Sequence, residues 1–107
     1  MKYDQGKPDL SLLPPEALVK IAKVLGFGAQ KYGRNNWRSD GKNTEWSRTY
    51  SSIQRHLHSF WSGEDLDPES GEEHLVHAAT QILIFITQIH DGNADTCDDR
   101  FKPEDIM

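Results

Sequence analysis

Cysteine is almost missing from this chain: Cys97 stands alone among 107 residues. A lone cysteine excludes an internal disulfide and any multi-cysteine zinc site. Long apolar runs are missing too. The longest, Ile82 to Ile86, has five residues, against the ~20 needed to span a bilayer, so no membrane partner is expected. The opening MKYDQGKPDL carries no apolar signal region, and a cytoplasmic protein is the expectation. Apolar residues are few overall, at 36%. A single domain over residues 1–107 therefore has a small core. Chains of this size bury well under three-quarters of their unfolded surface. Both points favour a homo-oligomer, a dimer or tetramer.

A dominant basic field is also lacking, which argues against a nucleic-acid partner. The net charge of −5 hides an asymmetry. Residues 1–58 hold ten Lys/Arg against five Asp/Glu, and residues 59–107 hold two against twelve. Uneven solvated surface is one reading. The other is a basic part that meets an anion and an acidic part that holds a cation. Familiar motifs fail. Gly26-Phe27-Gly28 lacks the strand of a dinucleotide loop, and no Walker lysine follows a glycine loop. The stretch from Asp91 to Asp95 starts like a calcium loop, but Thr96 and Lys102 stand where glycine and glutamate are needed.

What is present is helical periodicity. Residues 1–13 read as an extended arm. Pro14-Pro15 open a first helix, since proline is tolerated in the first turn. Leu18, Ile21, Ala22, Leu25, Ala29 and Tyr32 follow three or four apart, and Gly33 is a suitable stop. Residues 34–43 read as a polar loop. A second helix starts near Asn43 or Thr44, carries Trp46, Tyr50, Ile53, Leu57 and Phe60, and ends or bends at Gly63. Ser70 and Glu73 have the spacing of a capping box for a third helix, which runs to about His90 and stops at Gly92. Its apolar face is Leu75, Ala79, Ile82, Ile86 and Ile89, with Phe85 at the edge. The tail 91–107 is acidic and expected to be loosely attached. No segment alternates with period two. The fold class is all-α: a small bundle of three main helices, completed by oligomerisation.

Chemistry-bearing residues collect in two places. On the third helix His74, His77, Gln81 and Gln88 fall in one stripe. Such a stripe either faces solvent or needs partners inside. Glu64, Asp67 and Glu69 precede it closely, and Glu64 continues the inward row of the second helix if that helix persists past Gly63. Carboxylates suit Mg²⁺ or Mn²⁺, and imidazole also suits Mn²⁺ or Zn²⁺. Glu64, Asp67, Glu69, His74 and His77 are thus candidate metal ligands, or merely a solvated acidic loop. The basic half offers Lys7, Lys31, Arg34, Arg38, Lys42 and Arg55. Lys31 and Arg34 flank the end of the first helix, beside Asn35, Asn36 and Trp37. Cation, amide and aromatic together suit a nucleotide; a cap on the core is the plainer reading of Trp37.

The strings KYDQGKPDLSLLPPEAL, FGAQKYGRNNW and RHLHSFWSGEDLDPESGEEHLVHA occur in that order. This resembles the phage dATP/dGTP diphosphohydrolase family (MazZ-like), within the MazG-like all-α nucleotide pyrophosphohydrolases. The likeness covers residues 2–85. It implies Mg²⁺- or Mn²⁺-dependent hydrolysis of a purine deoxynucleoside triphosphate, dGTP or dATP, to the monophosphate and pyrophosphate. In phages that replace adenine with 2-aminoadenine, it implies that the dGMP feeds synthesis of the modified base. The cytoplasm would then be the host's. There is a departure from the pattern. Broader MazG-like enzymes bind metal through glutamates on one helix and a Glu-x-x-Asp on the next. Here Gln54, Arg55 and His56 stand on the second helix, and His74-x-x-His77 takes the place of Glu-x-x-Asp.

The reading that follows assigns phosphate charge to Lys7, Lys31 and Arg55, and the base to Asn36 and Trp37. His56 is a candidate base or ligand, having a free pKa near working pH, and Glu64 a candidate catalytic residue and ligand. A non-catalytic nucleotide-binding or sequestering phage protein would keep the basic and aromatic residues without needing the acid–histidine cluster. A partner-binding helical hairpin would use the acidic half as its surface.

Overall fold

In the computed structural model, residues 5–102 are described, apart from the Asp40 side chain and the exposure of Gly41. The fold is all-α. A 3₁₀ turn at Leu10–Leu12 precedes α1 (Pro15–Tyr32). Then come a short α2 (Asn36–Ser39), a 3₁₀ turn at Asp40–Asn43, α3 (Trp46–Trp61), α4 (His74–His90) and a short α5 (Ala94–Cys97). Among the described residues the nearest thing to a strand is one isolated antiparallel bridge, Leu66 to Glu73. α4 is the central element, against which both α1 and α3 pack.

The punctuation explains most of these limits. Pro14 caps α1 and Pro15 occupies its first turn, where the missing N–H is no loss. Gly33, at φ +95°, stops it. The loop expected over 34–43 winds instead into α2 and the 3₁₀ turn. Asn35 supports the change: at φ +61° it reverses the chain, and its carbonyl accepts from the Arg38 N–H. The extended arm likewise contains the turn at Leu10–Leu12, capped by the Asp9 carboxylate on the Ser11 N–H; residues 1–4 lie outside the described part.

Three further expectations are corrected. The Ser70–Glu73 capping box does not form. α4 begins at His74, with Glu73 as its N-cap and no side-chain cap bond. Residues 65–74 are tied into their own tight loop: Asp67 N–H to the Glu72 carbonyl, Gly71 N–H to the Asp67 carbonyl, and His74 N–H to the Asp65 carbonyl. That loop holds Ser70 away from a capping position. α3 ends at Trp61, with Gly63 at φ +103° just beyond, so Glu64 does not continue its inward row. The tail is not loose as far as Arg100. Asn93 and Cys97 are buried, and Trp46 Nε1 donates to Asn93 Oδ1 at 3.1 Å. Ser47 donates to Asp99 from both its N–H and its hydroxyl. Residues 103–107 lie outside the described part.

The core is small: Val24, Trp46, Ile53, Ala78 and Cys97 are its buried hydrophobic residues. On α1 it is Val24, outside the predicted apolar row, that is buried, while Leu18 and Tyr32 are exposed. On α3 the row holds except at Tyr50, which is also exposed. On α4 the two faces are exchanged. Leu75, Ala79, Ile82, Ile86 and Ile89 are exposed, whereas His74 and Gln88 are buried. The polar stripe points inward because it finds partners there. His74 meets His56 and Glu64, Gln81 donates to the Ser52 hydroxyl, and Gln88 donates to the Trp37 carbonyl. Phe85 joins the core with its ring 5.7 Å from that of Trp46. The radius of gyration is 16.5 Å, against about 13 Å for a compact chain of this length. The protomer is an open layer of helices.

Candidate functional site

A cleft of about 910 Å³ runs along this layer. The second half of α1 supplies Phe27 and Lys31, and the following turn supplies Arg34, Asn36 and Trp37. From α3 come Ser52, Arg55 and His56; from the next loop Asp67, Glu69 and Ser70; from α4 His77, Thr80 and Gln81. Gln81 Oε1 is buried there without a hydrogen-bond partner among the described residues.

At one end of the cleft three imidazoles meet. His56 Nδ1 lies 2.9 Å from His74 Nδ1. The His56 ring stacks on His77, with centroids 4.7 Å apart and planes within 4°. His77 Nε2 is 2.6 Å from the Ser70 hydroxyl, so the residue predicted to cap a helix instead holds a histidine of the site. His74 Nε2 lies 2.6 Å from Glu64 Oε1. A carboxylate only accepts, so His74 Nε2 carries the hydrogen and donates it. Asp67 uses its two oxygens differently. Oδ1 accepts from the N–H groups of Glu69 and Ser70, at 2.7 and 3.3 Å. Oδ2 lies 3.8 Å from His56 Nδ1.

Titration in this cluster follows from the same contacts. Burial pushes the His56 imidazole below its ordinary value, and the neighbouring His77 and His74 push it the same way, against the pull of Asp67. For Asp67, burial acts upward but is outweighed. The Glu69 and Ser70 N–H groups, with His77 and His56, hold the carboxyl below its ordinary value. A neutral imidazole beside an ionised carboxylate is the state in which both offer lone pairs to a cation.

The predicted residues fare unevenly. His56, Asp67 and His74 present ligand atoms within 4.8 Å of one another. His77 lies against His56, and Glu64 reaches the cluster through His74. Glu69 stands apart from the metal-competent group, in an ion pair with Lys31 at 2.5 Å. That pairing holds the Lys31 ammonium above its usual range. Lys31, Asn36, Trp37 and Arg55 all line the cleft. Lys7 is exposed and does not line it. Ser52 was not singled out from sequence, and Ser70 only as a helix cap rather than as a residue of the site. The signal available for this turn was Asp67-Pro68-Glu69, since an aspartate tends to accept the N–H two residues on, as Asp67 does from Glu69.

No solved structure matches the chain. It is 38% identical over 100 residues to the dATP/dGTP diphosphohydrolase of Salmonella phage PMBT28, covering 94% of this chain and 32% of that protein. The chain thus spans about a third of the length of this curated relative. A family model described as dATP/dGTP diphosphohydrolase, N-terminal, matches residues 1–100. With nearly its whole length matched, the chain belongs to the dATP/dGTP diphosphohydrolase N-terminal family.

Proposed function

We propose that this domain hydrolyses dGTP and dATP to the monophosphate and pyrophosphate, with a divalent cation at the His–Asp cluster. The observation that carries the reading is the cleft. One surface brings Lys31, Arg55 and Trp37 together with His56, Asp67 and His77, on a chain whose relative is named for this activity. The donor set fits a divalent ion, because two imidazole nitrogens and a carboxylate oxygen already converge. When bound, such an ion supplies Lewis acidity toward phosphate oxygens and lowers the pKa of a water molecule. The chain's own residues do the rest. Lys31 and Arg55 balance triphosphate charge, and Trp37 and Asn36 border the space for the base. His77, held by Ser70, fixes the plane of His56 by stacking. Water adds at the phosphorus of the α/β linkage, the bridging P–O bond breaks, and pyrophosphate leaves. The dGMP formed would supply synthesis of 2-aminoadenine in a phage that uses that base.

The test is pyrophosphate release from a panel of NTPs and dNTPs, with and without Mg²⁺ or Mn²⁺. Metal-dependent release from dGTP and dATP is expected. Nucleotide binding without release would favour a sequestering protein. Lys31→Ala should weaken dGTP binding about ten- to a hundredfold, the worth of a charge-assisted hydrogen bond. Deoxyguanosine binding should change little. Glu69→Gln should do the reverse for dGTP, because Lys31 is released from its ion pair. Equal losses for nucleotide and nucleoside would mean a disturbed fold.

The proposal includes a second copy of the chain on the exposed stripe of α4. Leu75, Ile82, Ile86 and Ile89 are each at least 40% exposed. A stripe of one chemistry along one helix is self-complementary about a two-fold axis. Sedimentation at micromolar concentration should give a species heavier than the 12.2 kDa protomer. A sample that stays monomeric would refute the second copy.

A further inference from the structure

We infer that His56 Nδ1, His74 Nδ1 and Asp67 Oδ2 form an imidazole-dominated centre that selects transition metals such as Zn²⁺ and Co²⁺ over Mg²⁺, with Glu64 as its positioning residue rather than a ligand. The inference deepens the reading above and rests on it for the presence of a cation. Its ground is the tautomer that the contacts impose. Glu64 Oε1 takes the hydrogen of His74 Nε2 at 2.6 Å. In the neutral tautomer that donates from Nε2, His74 Nδ1 carries a lone pair. That lone pair meets His56 Nδ1 at 2.9 Å. A carboxylate behind a histidine, orienting its other nitrogen, is the usual outer support of a metal-bound imidazole.

Asp67 completes the set by the same logic. Its Oδ1 is occupied by the N–H groups of Glu69 and Ser70, which leaves Oδ2 toward His56 at 3.8 Å. Metal–nitrogen bonds of about 2.0–2.1 Å place tetrahedral ligand atoms about 3.4 Å apart. The two separations from His56, 2.9 and 3.8 Å, bracket that spacing, and the three residues offer ligand atoms within 4.8 Å of one another. Closing the site requires His56 to shift its Nδ1 proton to Nε2 and the rings to part slightly. His74 is only 4% exposed, and His56 is clamped by the stacked His77 ring, so the donors are pre-oriented. Mg²⁺ favours oxygen ligands in octahedral array and keeps its waters. Two nitrogens and one oxygen suit it poorly. The general order of affinity at such sites rises from Mn²⁺ through Co²⁺.

The test titrates the metal-free protein, without nucleotide, with Mg²⁺, Mn²⁺, Co²⁺ or Zn²⁺ chloride by calorimetry. Affinity should rise in that order, with Zn²⁺ at least about a hundredfold above Mg²⁺. Co²⁺ should develop a visible absorption band that His56→Ala and Asp67→Asn abolish. Glu64→Gln should keep the band and weaken Co²⁺ about ten- to a hundredfold. Wild-type protein with ¹⁵N-labelled imidazoles guards against a variant that fails to fold. Zn²⁺ should shift the Nδ1 signals of His56 and His74 and leave His74 Nε2 protonated. Equal affinity for Mg²⁺ and Zn²⁺, or shifts confined to the exposed His58 and His90, would overturn the inference. Absence of pyrophosphate release with every metal, the affinity order intact, would remove the hydrolase reading and keep the centre. Mg²⁺-driven release unaffected by His56→Ala would do the opposite.

Discussion

Asp67→Asn is expected to reduce pyrophosphate release from dGTP by about a hundredfold or more while the metal-free protein still folds. The size follows from losing a charged donor to the cation. Several kcal/mol of transition-state stabilisation depend on such an ion, and each ~1.4 kcal/mol is tenfold in rate. The fold survives because the asparagine carbonyl can still accept the Glu69 and Ser70 N–H groups that now bond Oδ1. What the variant loses is the charge on Oδ2.

That charge also gives the apo protein a pH signature. The folded Asp67 carboxyl is held below its ordinary value by the Glu69 and Ser70 N–H groups. Its contribution to stability is therefore present above the unfolded value and lost as pH falls through the folded one. Wild type should melt slightly above the variant at pH 7, and the gap should close below about pH 4. Metal separates the two proteins further. A cation at a hundred times its dissociation constant stabilises the native state by about 2.7 kcal/mol. Wild type should show that rise in melting temperature and Asp67→Asn much less of it. If Mn²⁺ or Zn²⁺ leaves the wild-type melting curve unmoved, the metal reading of the cluster is lost.

How far the sequence foretells this protein depends on how local each determinant is. The limits of α1 are written in Pro14-Pro15 and Gly33, within one turn of each end, and they hold. The start of α4 is not local. The Ser70 and Glu73 spacing is right for a cap, but the Asp67 carboxylate accepts the Ser70 N–H and the Asp65 carbonyl accepts the His74 N–H across the loop. The inward face of α4 was equally out of reach. Hydrophobic periodicity finds the Leu75–Ile89 stripe and assigns it to the core by default. Only the partners on α3 and the neighbouring loops, Ser52, His56 and Glu64, reveal that the polar stripe is the buried one. For the site, spacing gathers Asp67, His74 and His77 on one short stretch. It leaves open that His56, eighteen positions before His74, supplies the facing nitrogen. Nor does it indicate that Glu69 turns outward to Lys31. Long-range pairing of side chains is the part that composition and period do not encode.

Trp46→Ala should be the most destabilising single truncation, because Trp46 ties the chain's end to its middle. Its side chain is 7% exposed. The ring meets Phe85 edge-on, with centroids 5.7 Å apart. Arg100 lies over its face at 4.8 Å. Its Nε1 donates to the buried Asn93 Oδ1, while Asn93 Nδ2 donates to the Lys42 carbonyl. Removing a buried tryptophan costs about 3–5 kcal/mol. In a chain of this size each kcal/mol is worth about 4–8 °C, so a fall of more than ~12 °C is expected in a thermal melt. Trp46→Phe separates packing from hydrogen bonding. It keeps a ring against Phe85 but strands Asn93 Oδ1, a loss of about 1–3 kcal/mol. Asn93→Ala should fall in the same range, and the two losses should not add, since both break one bond. Deleting everything from residue 91 onward tests the same lock from the other side. A loosely attached acidic tail could be cut away with no change in melting. A tail whose Asn93 and Cys97 are buried against Lys42 and Trp46 should take much of the stability of α3 with it. A truncated chain that melts within a degree or two of the full one would refute the lock, and a Trp46→Ala variant that melts as high as wild type would do so directly.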